Sequence, residues 1–100
     1  MEFEEIEWKV IEWAKERGIY ENYSAQAQIA KLIEELGELA NALNREDSPE
    51  VMDALGDMLV VMTNICRGTL KLPLTICYEE AYNQIKDRKG KMVNGTFVKD

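Results

Sequence analysis

Apolar residues recur every three or four positions along most of this chain, which is the spacing of amphipathic helices. The pattern predicts four helices, over residues 3–17, 24–44, 48–67 and 75–89. Short segments containing glycine, proline or polar residues separate them. Because each helix carries an apolar stripe that must be covered, we expect an all-α four-helix bundle.

Residue signals at the helix ends agree with these limits. Gly18 stands where a left-handed C-terminal cap belongs, and Ser24 is a good N-cap for the second helix. Ser48, followed by Pro49, marks the start of the third helix, and Thr75 is the expected N-cap of the fourth. The second and third helices are joined by a short turn, so we expect them to be antiparallel neighbours.

The last residues depart from the helical pattern. Asn94 and Gly95 lie between short apolar runs, and this dipeptide favours a short β-hairpin. With 100 residues and no linker-like segment, residues 1–100 are expected to form a single domain.

Charge and composition exclude several classes of function. The net charge is −7, so stable binding to nucleic acid is not expected. Histidine is absent, which removes Ser-His and Cys-His nucleophile pairs, imidazole zinc sites and the histidine-containing di-iron bundle. Any chemistry must therefore come from carboxylates, amines, amides and hydroxyls.

Two features bear on location. No apolar run is long enough to cross a membrane, and the acidic first residues do not have the pattern of a secretory leader. Cys66 and Cys77 lie inside predicted helices without metal-type spacing, so we expect buried free thiols in a reducing compartment. These features predict a cytoplasmic protein with no membrane partner.

Acidic residues follow one border of the apolar face of the second helix. That face comprises Ile29, Leu32, Ile33, Leu36, Leu39, Ala40 and Leu43. At about 100° per residue, Glu35 lies at its edge and Glu38 lies further along the same flank. Gln28 and Lys31 share this flank, whereas Glu34 points further toward the opposite side. Glu35 and Glu38 are therefore expected beside the core.

The third helix repeats the arrangement. Glu50, Asp53, Asp57 and Asn64 fall in one narrow strip along its apolar face, with no lysine or arginine among them. Like charges one turn apart repel, and the repulsion grows if the strips are drawn together away from water. A divalent cation would remove this penalty, and carboxylates without histidine suit Mg²⁺ or Mn²⁺. Each strip alone is more commonly a solvated helix face.

Apolar residues on the third helix also predict self-association. Met52, Leu59 and Val60 lie off its main apolar face, so more than half of its circumference is apolar. A four-helix monomer of this size has too few elements to cover it. We expect a homo-oligomer, either a dimer or a tetramer.

Two segments resemble a known family. Residues 28–39, QIAKLIEELGEL, and residues 53–57, DALGD, resemble the MazG-like members of the all-α nucleoside triphosphate pyrophosphohydrolases. That family carries an E-E-x-x-E pattern on one helix and E-x-x-D on the next, and the two motifs jointly hold Mg²⁺. Residues 81–97 are also similar to MazG-type C-terminal segments. The resemblance spans roughly residues 24–98 and implies a MazG-type bundle.

The resemblance implies an enzyme that cleaves a (d)NTP between its α- and β-phosphates, giving the (d)NMP and pyrophosphate. It implies Glu35 and Glu38 as Mg²⁺ ligands, with Mn²⁺ as a possible substitute. Glu34 would be a further acid that holds or activates water, so Glu34 and Glu38 are the expected catalytic acids. Asp57 matches the last acid of the second motif, whereas Ala54 stands where the family carries glutamate.

Two registers of the second motif restore an acid pair. Asp53, one turn before Asp57, supplies an oxygen in the first register, and Glu50 pairs with Asp53 in the second. We favour the first register as the metal site and keep Glu50 as a further ligand.

Substrate phosphates also require donors and positive charge from the protein. The candidates are Gln28, Lys31, Asn83, Lys86 and Arg88. The aromatic side chains available to stack on a base are Trp8, Trp13, Tyr20 and Tyr23. Tryptophan at helical spacing is nevertheless more often part of a core. The sequence does not indicate which base or sugar is preferred.

Two other functions fit the same residues. The first alternative is a non-catalytic helical module for oligomerisation or regulation, such as a relative of the family that binds nucleotide without hydrolysing it. Ala54 is the best support for this alternative. The other alternative is an acidic helical protein whose partner is another protein.

Overall fold

The amphipathic periodicity of the sequence is realised as four helices followed by one hairpin. The computed structural model describes residues 1–100. The elements are α1 (Phe3–Glu16), α2 (Ala25–Asn44), α3 (Ser48–Leu70), α4 (Leu74–Ile85), β1 (Gly90–Val93) and β2 (Thr96–Lys99). The predicted all-α architecture with a short C-terminal hairpin is confirmed. No helix is both long and apolar enough to cross a bilayer.

The helical hairpin of α2 and α3 is the centre of the fold, since these two helices pack along most of their length. Helix α1 packs on α3, and α4 packs on α3 and α1 but not on α2. The two strands contact only each other. Helix α3 therefore touches every other helix, which places its residues between α1 and α2.

Two predicted caps are confirmed and one shifts by a residue. The Ser24 hydroxyl accepts a hydrogen bond from the Ala27 amide at 3.2 Å, and Gly18 has a φ of 75° just after α1. At the start of α3, however, the cap is Asp47 and not Ser48. The Asp47 carboxylate accepts the Glu50 amide at 3.2 Å. A carboxylate at this place also complements the positive end of the helix dipole.

The predicted start of α4 at Thr75 is wrong, because a carboxylate from another helix supplies the cap. Helix α4 begins at Leu74 after Pro73. Both carboxylate oxygens of Glu7, a buried residue of α1, lie 3.2 Å from the Thr75 amide, and the Thr75 hydroxyl donates to the same group. Glu7 thus satisfies donors that a local cap would otherwise have to cover.

Two predicted helix ends are also wrong. Helix α3 passes through Gly68 to Leu70, and a Cβ at Gly68 would overlap the ring of Tyr23. This glycine is thus required by close packing and does not terminate the helix. Helix α4 ends at Ile85 instead of Lys89.

The predicted hairpin is confirmed together with its turn. Val93 pairs with Thr96, and the intervening Asn94 and Gly95 have φ values of 49° and 81°. Positive φ at both central residues is the geometry of a type I′ turn, which asparagine and glycine adopt at low cost.

The apolar face predicted as the core of α2 is only partly buried. The side of α2 that packs on α3 carries Glu35 and Ala42, both buried, with Leu32 and Leu39 half-buried. The other apolar residues of that face remain exposed, and so do several on α3. We call this set the exposed stripe: Ile29, Ile33, Leu36 and Leu43 of α2, and Met52, Leu55 and Leu59 of α3.

The single chain also has more surface than a compact monomer. Its accessible area is 7702 Å², whereas about 5,800 Å² is usual for 11.5 kDa. Its radius of gyration is 15.8 Å, against about 13 Å for a compact domain of 100 residues. Much of the apolar surface of one chain is therefore left uncovered.

Candidate metal centre

Three acids of α2 and α3 interact where the two helices pack. Glu35 faces α3 and is buried, with 8% of its surface exposed. Glu38 lies one turn further along α2, and Asp57 lies on the adjacent part of α3. Both carboxylates act electrostatically on Glu35. The predicted placement of Glu35 beside the core is confirmed.

Glu35 is in an unfavourable environment for an isolated carboxylate. Burial raises its pKa above the ordinary glutamate value, and the negative charges of Glu38 and Asp57 raise it further. Lys31 opposes this shift. One carboxylate oxygen, Oε2 of Glu35, is buried without any hydrogen-bond partner. Buried polar atoms are normally satisfied, so this oxygen is a candidate acceptor for a cation.

The chemical type of these side chains suits a divalent cation. Three carboxylates without histidine or thiolate are the hard oxygen donors that Mg²⁺ prefers. The side chains are not already gathered around one point, since no group of three or more acidic, thiol or imidazole side chains converges closely enough to hold an ion. Glu38 and Asp57 are exposed, however, and their side chains have room to turn.

The metal-free protein should be more stable when Glu35 is replaced by glutamine. The raised pKa means that the folded state binds a proton at Glu35 more tightly than the unfolded chain does. Its contribution to stability is therefore full below the ordinary glutamate pKa and is lost as the pH rises through the raised value. In EDTA, Glu35→Gln should match wild type near pH 4 and melt at a higher temperature than wild type at pH 7.

Thermal melts across this pH range, followed by circular dichroism, test that expectation. Glu34→Gln on the exposed side of α2 is the matched control. A constant difference between Glu35→Gln and wild type at every pH would contradict it.

The other predicted acids lie apart from this group. Glu34 is exposed, and Glu50 and Asp53 are exposed near the start of α3. Asp57 acts on Glu35, whereas neither Asp53 nor Glu50 is among the charges that shift its pKa. Ala54, which stands in place of the family's glutamate, is buried. Of the predicted acids, Glu38 and Asp57 therefore act on Glu35 electrostatically, and the others do not.

The predicted substrate-binding residues divide into two groups. Gln28 is half-buried and Lys31 exposed on α2, close enough for Lys31 to act on Glu35. Asn83, Lys86 and Arg88 are exposed in or after α4. Because α4 does not pack on α2, the structure does not bring this second group to Glu35 and Glu38 within one chain.

Two of the aromatic candidates have structural contacts through their hydroxyls. Tyr20 donates to Oδ1 of the buried Asn64 at 2.8 Å, and burial raises the Tyr20 pKa although Arg67 opposes the shift. The Tyr23 hydroxyl lies 2.7 Å from that of Thr69. These contacts join the α1–α2 connection to α3. Because Asn64 is buried and bonded to Tyr20, it is not part of an acidic surface strip.

The two cysteines are free, as predicted. Cys66 is buried and Cys77 half-buried, with their sulfur atoms 3.5 Å apart. Burial, together with the neighbouring Cys77, raises the pKa of the Cys66 thiol to about 11. Such a thiol stays protonated and packs as a small apolar group.

One feature was not found from the sequence. Lys9 and Trp13 of α1 line a cavity of about 430 Å³ whose wall also includes Asp57. The spacing of Lys9 and Trp13 indicates that both lie on one side of α1, but nothing in the sequence shows that this side meets the acidic part of α3.

Comparison with known proteins identifies a family. Residues 23–92 match the family described as the MazG nucleotide pyrophosphohydrolase domain. A Haemophilus phage HP1 (strain HP1c1) protein, described as an uncharacterized 18.2 kDa protein in the rep-hol intergenic region, is 34% identical over 56 residues. The aligned part is 56% of this chain and 34% of that relative, so the chain spans about a third of it. No solved structure matches. The match over residues 23–92 shows that the chain belongs to the MazG nucleotide pyrophosphohydrolase family.

Proposed function

We propose that this protein is a Mg²⁺-dependent nucleoside triphosphate pyrophosphohydrolase that converts (d)NTP to (d)NMP and pyrophosphate. Membership of the MazG family supports the reaction class. The observation that carries the site is the buried Oε2 of Glu35, which lacks a partner beside the charges of Glu38 and Asp57. A cation placed there would satisfy the oxygen and offset the repulsion.

Glu35, Glu38 and Asp57 are the proposed metal ligands. Asp53 and Glu50, which lie closer to the start of α3, are proposed as further ligands. Mn²⁺ is expected to substitute for Mg²⁺, since both prefer oxygen donors. When bound, such an ion neutralises phosphate charge and acidifies water.

The remaining residues are proposed to bind the substrate and move a proton. Glu34, the exposed residue that precedes Glu35 in the sequence, is proposed to take a proton from the attacking water, a role that Glu38 shares. Lys31 already acts on Glu35 and supplies positive charge for a phosphate, and Gln28 lies one turn before it as a hydrogen-bond donor.

We also propose that the protein works as a homo-oligomer, a dimer or a tetramer. The exposed stripe has the spacing of a helix–helix seam, and the excess surface of roughly 1,900 Å² exceeds the ~800 Å² that each partner buries in a standard interface. A second copy also offers a source for Asn83, Lys86 and Arg88, which α4 does not bring to α2 of its own chain.

Product analysis tests the reaction directly. Purified protein should release pyrophosphate and the nucleoside monophosphate from at least one of the eight common NTPs and dNTPs when Mg²⁺ is present. EDTA should abolish release, and added Mn²⁺ should restore it. Release of inorganic phosphate and the diphosphate would contradict the proposed cleavage site, and no reaction with any nucleotide would contradict the activity.

The alternative function is a nucleotide-binding or oligomerisation module without catalysis. Ala54 favours it, because a buried methyl group stands where the family carries a glutamate ligand. Nucleotide binding without product in the same assay would support this alternative.

We also propose that the protein is cytoplasmic and does not bind nucleic acid stably. The free cysteines fit a cytoplasmic protein, and the acidic surface fits the lack of nucleic-acid partners.

A further inference from the structure

A cavity between α1 and α3 adjoins the acidic group. Its volume is about 430 Å³, within the range of small-molecule clefts, and it opens to solvent. Its lining comprises Ile6, Lys9, Val10, Trp13, Asp57 and Val60. Asp57 is the link between the two sites, since the same residue lines this cavity and acts on Glu35 across the α2–α3 contact.

The walls suit a flat, mostly apolar ring with polar edges. Aliphatic side chains from both helices form most of the surface, and the indole of Trp13 adds one aromatic wall. The guanidinium of Arg17 lies 4.5 Å from the centroid of that indole and donates to the Trp13 carbonyl at 3.0 Å, which keeps the arginine against the ring. Stacking on an aromatic side chain is the usual way to bind a nucleobase without base-pairing.

The other aromatic candidates are less suited. Tyr20 and Tyr23 are fastened to α3 through their hydroxyls. Trp8 lines two other cavities, neither of which includes an acid of the metal group. Trp13, by contrast, lines the same cavity as Asp57.

We propose that the cavity between α1 and α3 binds the nucleobase of the substrate, with Trp13 as the stacking residue. This inference rests on the proposed function, because it assumes that the phosphates lie at Glu35, Glu38 and Asp57. Lys9, which lines the same cavity as Asp57, would supply positive charge to the bound nucleotide. Trp13 is thus a specificity residue, contributed by a helix outside both acidic motifs.

Replacing Trp13 with leucine should raise KM for the preferred nucleotide about tenfold and leave kcat within about twofold. Trp13→Phe keeps an aromatic ring and should retain most of the affinity. Trp8→Leu is the matched control and should leave both constants unchanged. An unchanged KM for Trp13→Leu would overturn the proposal, and circular dichroism melts check that each variant is folded.

Fluorescence provides a readout that does not depend on catalysis. In Trp8→Leu, Trp13 is the only indole, since the chain has two tryptophans. Non-hydrolysable α,β-methylene analogues of the four NTPs should quench its emission with a base-dependent affinity, whereas inorganic tripolyphosphate should bind without quenching. Equal quenching by tripolyphosphate, or none by any analogue, would overturn the base pocket.

The two proposals fail in different ways. Pyrophosphate release with no quenching would reject the base pocket and leave the enzyme. Base-dependent quenching with no release from any nucleotide would reject the enzyme and leave a nucleotide-binding site at Trp13. The absence of both would reject both.

Discussion

Replacing Glu38 with glutamine is expected to lower pyrophosphate release at least about 100-fold, the usual cost of removing one group that organises charge in a transition state. The exposed Glu38 carboxylate is a proposed metal ligand, and glutamine keeps its size while removing its charge. We also expect Mg²⁺ to raise the melting temperature of wild type, because an ion that binds only the native state stabilises it, and we expect Glu38→Gln to lose this rise.

The matched control is Glu80→Gln, an exposed glutamate on α4 away from the acids. It should retain both the activity and the Mg²⁺ effect. Asp57→Asn should resemble Glu38→Gln, and comparison of Asp53→Asn with Glu50→Gln identifies which further acid reaches the ion. Full activity in Glu38→Gln would contradict the proposed ligand set.

Replacing Ile33 with glutamate is expected to dissociate the oligomer. Ile33 lies in the middle of the exposed stripe and is 64% exposed in the single chain, so a monomer would tolerate the change. In a symmetric interface, the new glutamate of each subunit would be buried as a charge among apolar side chains. We expect the dissociation constant to rise at least about 100-fold and activity to fall with it.

Analytical ultracentrifugation over a range of concentrations measures this effect. Met92→Glu is the matched control, since Met92 is 65% exposed on β1 and lies outside the stripe. A monomeric wild-type protein, or an Ile33→Glu variant with unchanged mass, would show that the stripe is not the subunit interface.

Local signals predicted most of the fold. Helical spacing, Ser24 and Gly18 located the first two helices, and Asn94-Gly95 located the hairpin. Caps and turns are formed by residues within a few positions of one another. Such signals are therefore visible in a single sequence.

Long-range contacts were not predictable in the same way. The cap of α4 comes from Glu7, 68 residues before Thr75, and no local pattern reports such a pair. The third helix was predicted to end at residue 67, just before Gly68, but this glycine lies inside α3 and is required by the approach of Tyr23. Only tertiary packing decides whether a glycine ends a helix or allows another side chain to pack closely against it.

The candidate site was predictable in part for a related reason. Periodicity placed Glu35 at the border of an apolar face, and the structure buries it against α3. Periodicity shows that a face is apolar but not what covers it. Leu36 was therefore expected in the core of the chain, yet it lies exposed. The proximity of α1 to Asp57 depends on packing angles that a one-dimensional pattern does not contain.

Titration with Mn²⁺, followed by electron paramagnetic resonance, tests the central claim most directly, because it detects the ion without requiring a substrate. We predict saturable Mn²⁺ binding that Mg²⁺ displaces and that is strongly weakened in Glu35→Gln, Glu38→Gln and Asp57→Asn, but not in Glu80→Gln. Binding of equal strength in all four variants, or no binding to wild type, would contradict a metal centre formed by the acids of α2 and α3.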